Sequence, residues 1–421
     1  MKRYRYAGVT DRSLAIISAL ALVLLSACSS PVGDDSSDGG GNTGGDTGPV
    51  EIIDGGSISG TLDSDLTLEA NTRYAVTGNL TVRSQLTIEA GAILEFASDT
   101  RLLIDDSGLI RAIGTASRPI VFRGETQTAG FWRGVLVYSD NSMNRLEYVT
   151  ISDTGSNTIG GQTAAVVLDG FRGGALALAN SELVDGLGHG LFVENGATLL
   201  DFSTNSFGAL SRTPVRVAPN QLAQIDGASS FRSTNSDNRI EIDEFGTVDG
   251  DATWVDPGVA YAVNDDLIVN AALTIRDGVR LEFGPSVRME IDSDGAIIAD
   301  ASVGQPIVFV GSVETPGHWR GIQIDSDDMR NIMDNVEVRH AGEADGFSGG
   351  EEGNVYLYSG QEAAYLRLRN STIADGASHG VVYDSNTTLT DDGTNTTTPF
   401  SSVTMSNIGD DVGSFSDYHQ P

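Results

Sequence analysis

Residues 86–96 read LTIEAGAILEF, and residues 273–283 read LTIRDGVRLEF. In each, apolar and polar side chains alternate over a few residues, a glycine interrupts, and a second short alternation follows. That is the period of a half-buried strand, turned at a corner and resumed. The offset that carries Leu86 onto Leu273 also carries the whole of 74–155 onto 261–342 without a gap, with 33 of 82 positions identical. After a short shift the agreement resumes, NSELVDGLGHG from Asn180 matching NSTIADGASHG from Asn370. The chain therefore carries an internal duplication with a unit on the order of 190 residues.

Outward from that stretch the signal stays strand-like: RLLI, PIVF, GVLV, YVTI and AVVL are separated by Gly, Asp, Asn and Ser, and no helical period appears after the first residues. Apolar segments return at an even spacing, from Ile88 to Ile110, from Phe96 to Phe122, from Phe122 to Val149 and from Val149 to Leu176. A β-sandwich would show two-residue hairpin turns, whereas these corners are longer and irregular. The pattern predicts an all-β solenoid, a right-handed parallel β-helix in which two homologous modules form one rod. At about 25 residues per coil that is roughly 15 coils and a length near 70 Å.

The start of the chain reads as an export signal, with Lys2, Arg3, Arg5 and Arg12 before an apolar run from Leu14 to Leu25. Leu25-Ser26-Ala27-Cys28 resembles the lipobox of bacterial lipoproteins, which implies an acylated Cys28 at the mature N-terminus. Cys28 is the only cysteine, so no intramolecular disulfide forms. Residues 29–50 are rich in Gly, Ser and Asp and read as a tether. The expected organisation is signal peptide 1–27, anchor and tether 28–50, module one 51–250, and module two with its tail 251–421. Ser29 after the anchor, by resemblance to proteobacterial lipoproteins, implies the outer membrane. Net charge is −33, and removing the signal peptide, with four basic side chains and one acidic, leaves 21 basic against 57 acidic, or −36. Nucleic acid is thereby excluded as a partner.

At a larger scale LTIEAGAILEF, GLIRAIGTASRPIVF, FWRGVLV and LEYVTI, with the counterparts LTIRDGVRLEF, GAIIADASVGQPIVF and HWRGIQI, resemble the bacterial parallel β-helix proteins of the pectin-lyase-like superfamily. The resemblance covers nearly all of residues 65–395 and implies the fold. That fold carries lyases, hydrolases, adhesins and non-catalytic proteins alike, so function rests on the site.

Asp185-Gly186-Leu187-Gly188-His189-Gly190 recurs as Asp375-Gly376-Ala377-Ser378-His379-Gly380. Gly-His-Gly resembles one motif of the polygalacturonases, which makes Asp185, His189, Asp375 and His379 the catalytic candidates. The Asn-Thr-Asp, Asp-Asp and Arg-Ile-Lys motifs of that family are missing, and Lys2 is the only lysine, so a structural corner is the competing reading. Trp132 and Trp319, each opening a WRG triplet, either stack on sugar rings or pack between coils. Asp105-Asp106, Asp265-Asp266, Asp325 with Asp327 and Asp328, and Glu351-Glu352 offer oxygens to Ca²⁺ or are solvated corners; none fits an EF-hand. No zinc spacing, phosphate loop, dinucleotide fingerprint or nucleophile elbow is present. The reading is a monomeric, envelope-anchored, non-enzymatic binding or structural lipoprotein without a cofactor, facing a glycan or protein surface. The alternative is a polysaccharide lyase or glycoside hydrolase on the same fold.

Overall fold

Leu86, Ile88, Leu94 and Phe96 are buried while Thr87 and Glu95 between them are half-exposed. The alternation of residues 86–96 thus becomes two strands, Gln85–Ile88 and Ile93–Phe96, with Gly91 at the corner. Gly91 has φ +83°, and a Cβ there would run into the Asn71 side chain of the preceding coil, so only glycine serves. The computed structural model describes residues 52–243, 246–344, 352–358, 363–384, 386–391, 402–408 and 415–418. The stretches read as export signal and tether, together with Cys28, lie outside them. Val50–Pro421 forms one compact unit.

Every strand-to-strand pairing among the described residues is parallel, and the chain climbs as a right-handed β-helix with three faces per coil. In the first copy the first face stacks Ile93–Phe96, Ile120–Gly124, Val149–Ile151, Glu182–Gly186 and Ser206–Leu210. The second face stacks Arg101–Ile104, Gly134–Val137, Ala164–Leu168, His189–Val193, Val215–Val217 and Ile240–Ile242. The third runs through Gln85–Ile88, Leu109–Ile113, Arg145–Glu147, Ala175–Ala179 and Thr198–Ser203. Inward side chains meet in register: Leu94, Phe122, Ile151, Leu183 and Phe207 form one wholly buried row. Each such side chain contributes roughly 1.5–3 kcal/mol by leaving water.

The second copy does not stack face upon equivalent face. Tyr261–Val263 duplicates Tyr74–Val76 of the first face, yet it pairs with Ile240–Ile242, which belongs to the second. Arg280–Phe283, Ile307–Gly311 and Val336–Arg339 then continue the second-face ladder. The duplicate therefore starts one face further round the coil. The ladder stays unbroken, from Val215 through Ile240, Tyr261 and Leu281 to Phe309 and Val338, and one hydrophobic core spans Leu68 to Leu389.

Coil length departs from the even return read in the sequence. The coil that brings Tyr261 opposite Leu281 is short, whereas the one that brings Val338 opposite Ile373 is much longer. Val149 and Leu176, paired by spacing, lie on different faces: Val149 faces Ile120 while Leu176 faces Leu199. Corners absorb the variation. Buried Asn144 holds one corner by accepting Ile110 N–H at 3.0 Å and donating to the carbonyls of Ser139 and Ala175 at 3.2 and 3.1 Å. Asn331 repeats this in the second copy, accepting Ile297 N–H at 2.8 Å and donating to the Ser326 carbonyl at 3.2 Å.

The outer side of the second face is also apolar in the first copy. Leu103, Leu136, Val167 and Phe192 align in register and are buried with Ile159 of the 155–163 loop. The equivalent row of the second copy is Glu290, Gln323, Tyr356 and Val382. Buried Gln323 donates to both Asp325 oxygens at 2.8 and 2.9 Å.

Candidate functional site

A groove of about 490 Å³ runs over the first face of the first copy. Its floor is Val121 and Arg123 of Ile120–Gly124, then Ser152 and Asp153, then Asp185, then Ala209, on four successive coils. One wall is the Gln127–Ala129 loop, anchored where Gly130 N–H donates to Thr154 O at 3.0 Å and Phe131 N–H to Asp153 O at 2.8 Å.

Asp153, Asp185 and Ala209 form a column of left-handed corners with φ of 64°, 53° and 53°. Asp tolerates that conformation better than most side chains. Asp153 is buried and its Oδ2 accepts from Gly124 N–H at 3.1 Å and from Ser152 Oγ at 3.0 Å. Burial pushes its carboxyl above the ordinary aspartate range, the two hydrogen bonds oppose the shift, and the Asp185 charge adds to it. Arg123 Nη2 holds Glu95 Oε1 at 2.6 Å. The groove so combines a fixed guanidinium, a buried carboxyl and an exposed carboxylate.

His189 does not share that groove. Its strand, His189–Val193, is buried on both sides, because the outer row containing Phe192 is itself covered. His189 Nδ1 lies 2.7 Å from Thr213 Oγ1, and Thr213 Oγ1 donates to Glu241 Oε2 at 3.3 Å. Burial first, then the charge of Arg212, pulls the imidazole down to about 4. In the second copy Asp375 accepts Asn407 Nδ2 at 2.9 Å and Arg339 Nη1 at 3.0 Å. The Asn407 bond foremost, with Arg339, holds its carboxyl below the ordinary range. His379 is half-buried at the start of His379–Asp384. The two Asp/His corners thus share a backbone but differ in chemistry.

Trp132 and Trp319 are wholly buried, which removes them as sugar platforms. Trp132 stacks on Phe96 at 3.9 Å and Trp319 on Phe283 at 4.0 Å, and their Nε1–H groups donate to Ser152 O and Arg339 O at 2.6 and 2.8 Å. Among the described residues no group of three or more His, Cys, Asp or Glu side chains is placed to hold a metal ion. Several of the acidic pairs read as Ca²⁺ candidates are tied to arginine: Asp105 to Arg83 at 2.9 Å, Asp106 to Arg172 at 3.4 Å, Asp266 to Arg288 at 3.4 Å and Asp328 to Arg330 at 2.6 Å. Glu351 lies outside the described residues.

Sequence reasoning named Asp185 but passed over Arg123 and Asp153. A signal for both exists in the duplication: Val310 and His340 stand at their equivalent positions, so the copies diverge where the groove lies. Residues 60–166 match the family model of a pectate-lyase like beta helix domain, which takes in the groove's Arg123 and Asp153. Neither the curated proteins nor the solved structures gave a match.

Proposed function

We propose that this pectate-lyase-like parallel β-helix is a non-enzymatic binding protein, anchored at the outer membrane through an acylated Cys28, with a glycan as ligand along the first-face groove. The observation that carries this is the engagement of the groove's charged groups. Arg123 is held by Glu95 and Asp153 by Gly124 N–H and Ser152, while His189 lies outside the groove and is turned to Thr213. Groups fixed in this way are suited to recognising sugar hydroxyls by hydrogen bonding.

A polysaccharide lyase or glycoside hydrolase is the second reading, favoured by one observation: Asp153 and Asp185 are neighbouring carboxyls of different character, one buried and one exposed. One experiment separates the two. The full chain is incubated with neutral and acidic polysaccharides, with and without Ca²⁺, while binding, reducing ends and unsaturated products are followed. Binding without product, weakened about tenfold in Asp185→Ala, is expected. Product formation abolished by Asp153→Asn would establish the enzyme instead.

A further inference from the structure

A second cleft, of about 400 Å³, opens on the third face of the first copy between Thr87, Glu89, Arg111 and Arg118. Many arginines elsewhere in this acidic chain hold a carboxylate closely: Arg83, Arg133, Arg145, Arg216, Arg239 and Arg330 each do so at 2.6 to 2.9 Å. Among the described residues neither Arg111 nor Arg118 has an ion-pair partner. Glu89 shares the cleft but lies beyond ion-pair distance of both, its Oε2 accepting Ala70 N–H at 3.2 Å.

Three features mark this as an arrangement the fold does not require. Arg111 sits directly opposite Arg145 on the adjacent strand, a like-charge pairing that costs stability unless an anion joins it. Arg145 is neutralised by Glu147 at 2.7 Å and Asp201 at 3.3 Å, while Arg111 receives neither. Among the described residues Arg118 is held only at its main chain, where the backbone N–H donates to Thr115 Oγ1 at 3.1 Å, and its side chain is exposed. In the second copy Ile298 and Gln305 stand at the equivalent positions, and the strand Ala296–Asp300 forms without either guanidinium.

We propose that the cleft framed by Arg111 and Arg118 is a seat for a single oxyanion, a carboxylate or a sulfate ester, carried on an otherwise uncharged ligand. Two guanidiniums supply the planar donor forks that such a group accepts. The limit to one charge follows from the field: a surface of net charge −33 repels a dense polyanion at long range, whereas an isolated charge meets the local pair. The seat stands on its own geometry and takes from the glycan reading only the sugar scaffold of its probes.

Glucuronate, glucose 6-sulfate, glucose and polygalacturonate are titrated against the full chain, with Arg111→Gln, Arg118→Gln and, as a charge-matched control, Arg276→Gln, an exposed position in the second copy. Both charged monosaccharides should bind saturably and glucose should not, with tenfold or greater weakening in Arg111→Gln and in Arg118→Gln and none in Arg276→Gln. The tighter of the two identifies the oxyanion. Arg111 and Arg118 line this cleft and not the first-face groove, so loss of binding in their variants is distinct from a failure of that groove. Absence of saturable binding, an equal loss in Arg276→Gln, glucose binding as well as glucuronate, or polygalacturonate binding more tightly than either monosaccharide would each overturn the proposal.

Discussion

His189 and Asp325 are opposite cases of one effect, burial disfavouring charge, and they tilt stability in opposite directions with pH. His189 titrates at about 4 when folded and near 6.5 when unfolded. Between those values the unfolded chain holds a proton that the folded chain does not, so stability falls as pH drops from 6.5 toward 4. Asp325 is pushed up to about 6, chiefly by burial, from an unfolded 3.8. There the folded chain holds the extra proton, so stability is lost as pH rises from 3.8 through 6. Asp325→Asn should therefore stabilise the protein by about 1–2 kcal/mol at pH 8, and urea titrations should show the gain vanishing below about pH 4. A gain that persists at low pH would place the effect elsewhere. Neither burial was legible in the sequence. Alternation assigns one side of a strand to water, and His189–Val193 breaks that assumption because an outer apolar row lies over it.

The corners decide how strands become coils. Gly155 has φ +97°, and a Cβ there would collide with the Leu187 carbonyl on the next coil. Gly155→Ala should cost more than about 2 kcal/mol, the sum of left-handed strain and a backbone clash, and should lower the midpoint of urea unfolding. Asn144→Ala strands one buried amide and two buried carbonyls, so a loss of about 2–3 kcal/mol is expected, with a similar loss for Asn331→Ala. Strand existence was readable because triplets such as LTI, LEF and PIVF alternate cleanly. Coil pairing was not, since a corner of any length from Gly-rich turn to covered loop satisfies the same alternation. Val149 and Leu176 fit the same even return as Phe122 and Val149, and yet they belong to different faces.

The unbroken second-face ladder makes the two copies a single unit for unfolding. Limited proteolysis of the full chain should not yield two stable halves divided near residue 250, because Ile240 is held between Val215 and Tyr261 in one continuous stack. Two resistant halves would show that the copies fold independently. At this scale the duplication was plain from 33 shared positions in 82, while its rotation was hidden, since an offset along the chain says nothing about the side of the coil on which a copy begins. That rotation sets the geometry of contact with anything outside. The twin strands Tyr74–Val76 and Tyr261–Val263 stand on different ladders of the coil. One flat sheet of ligand therefore cannot engage both, and the avidity expected of repeated sites is lost when geometry forbids simultaneous contact.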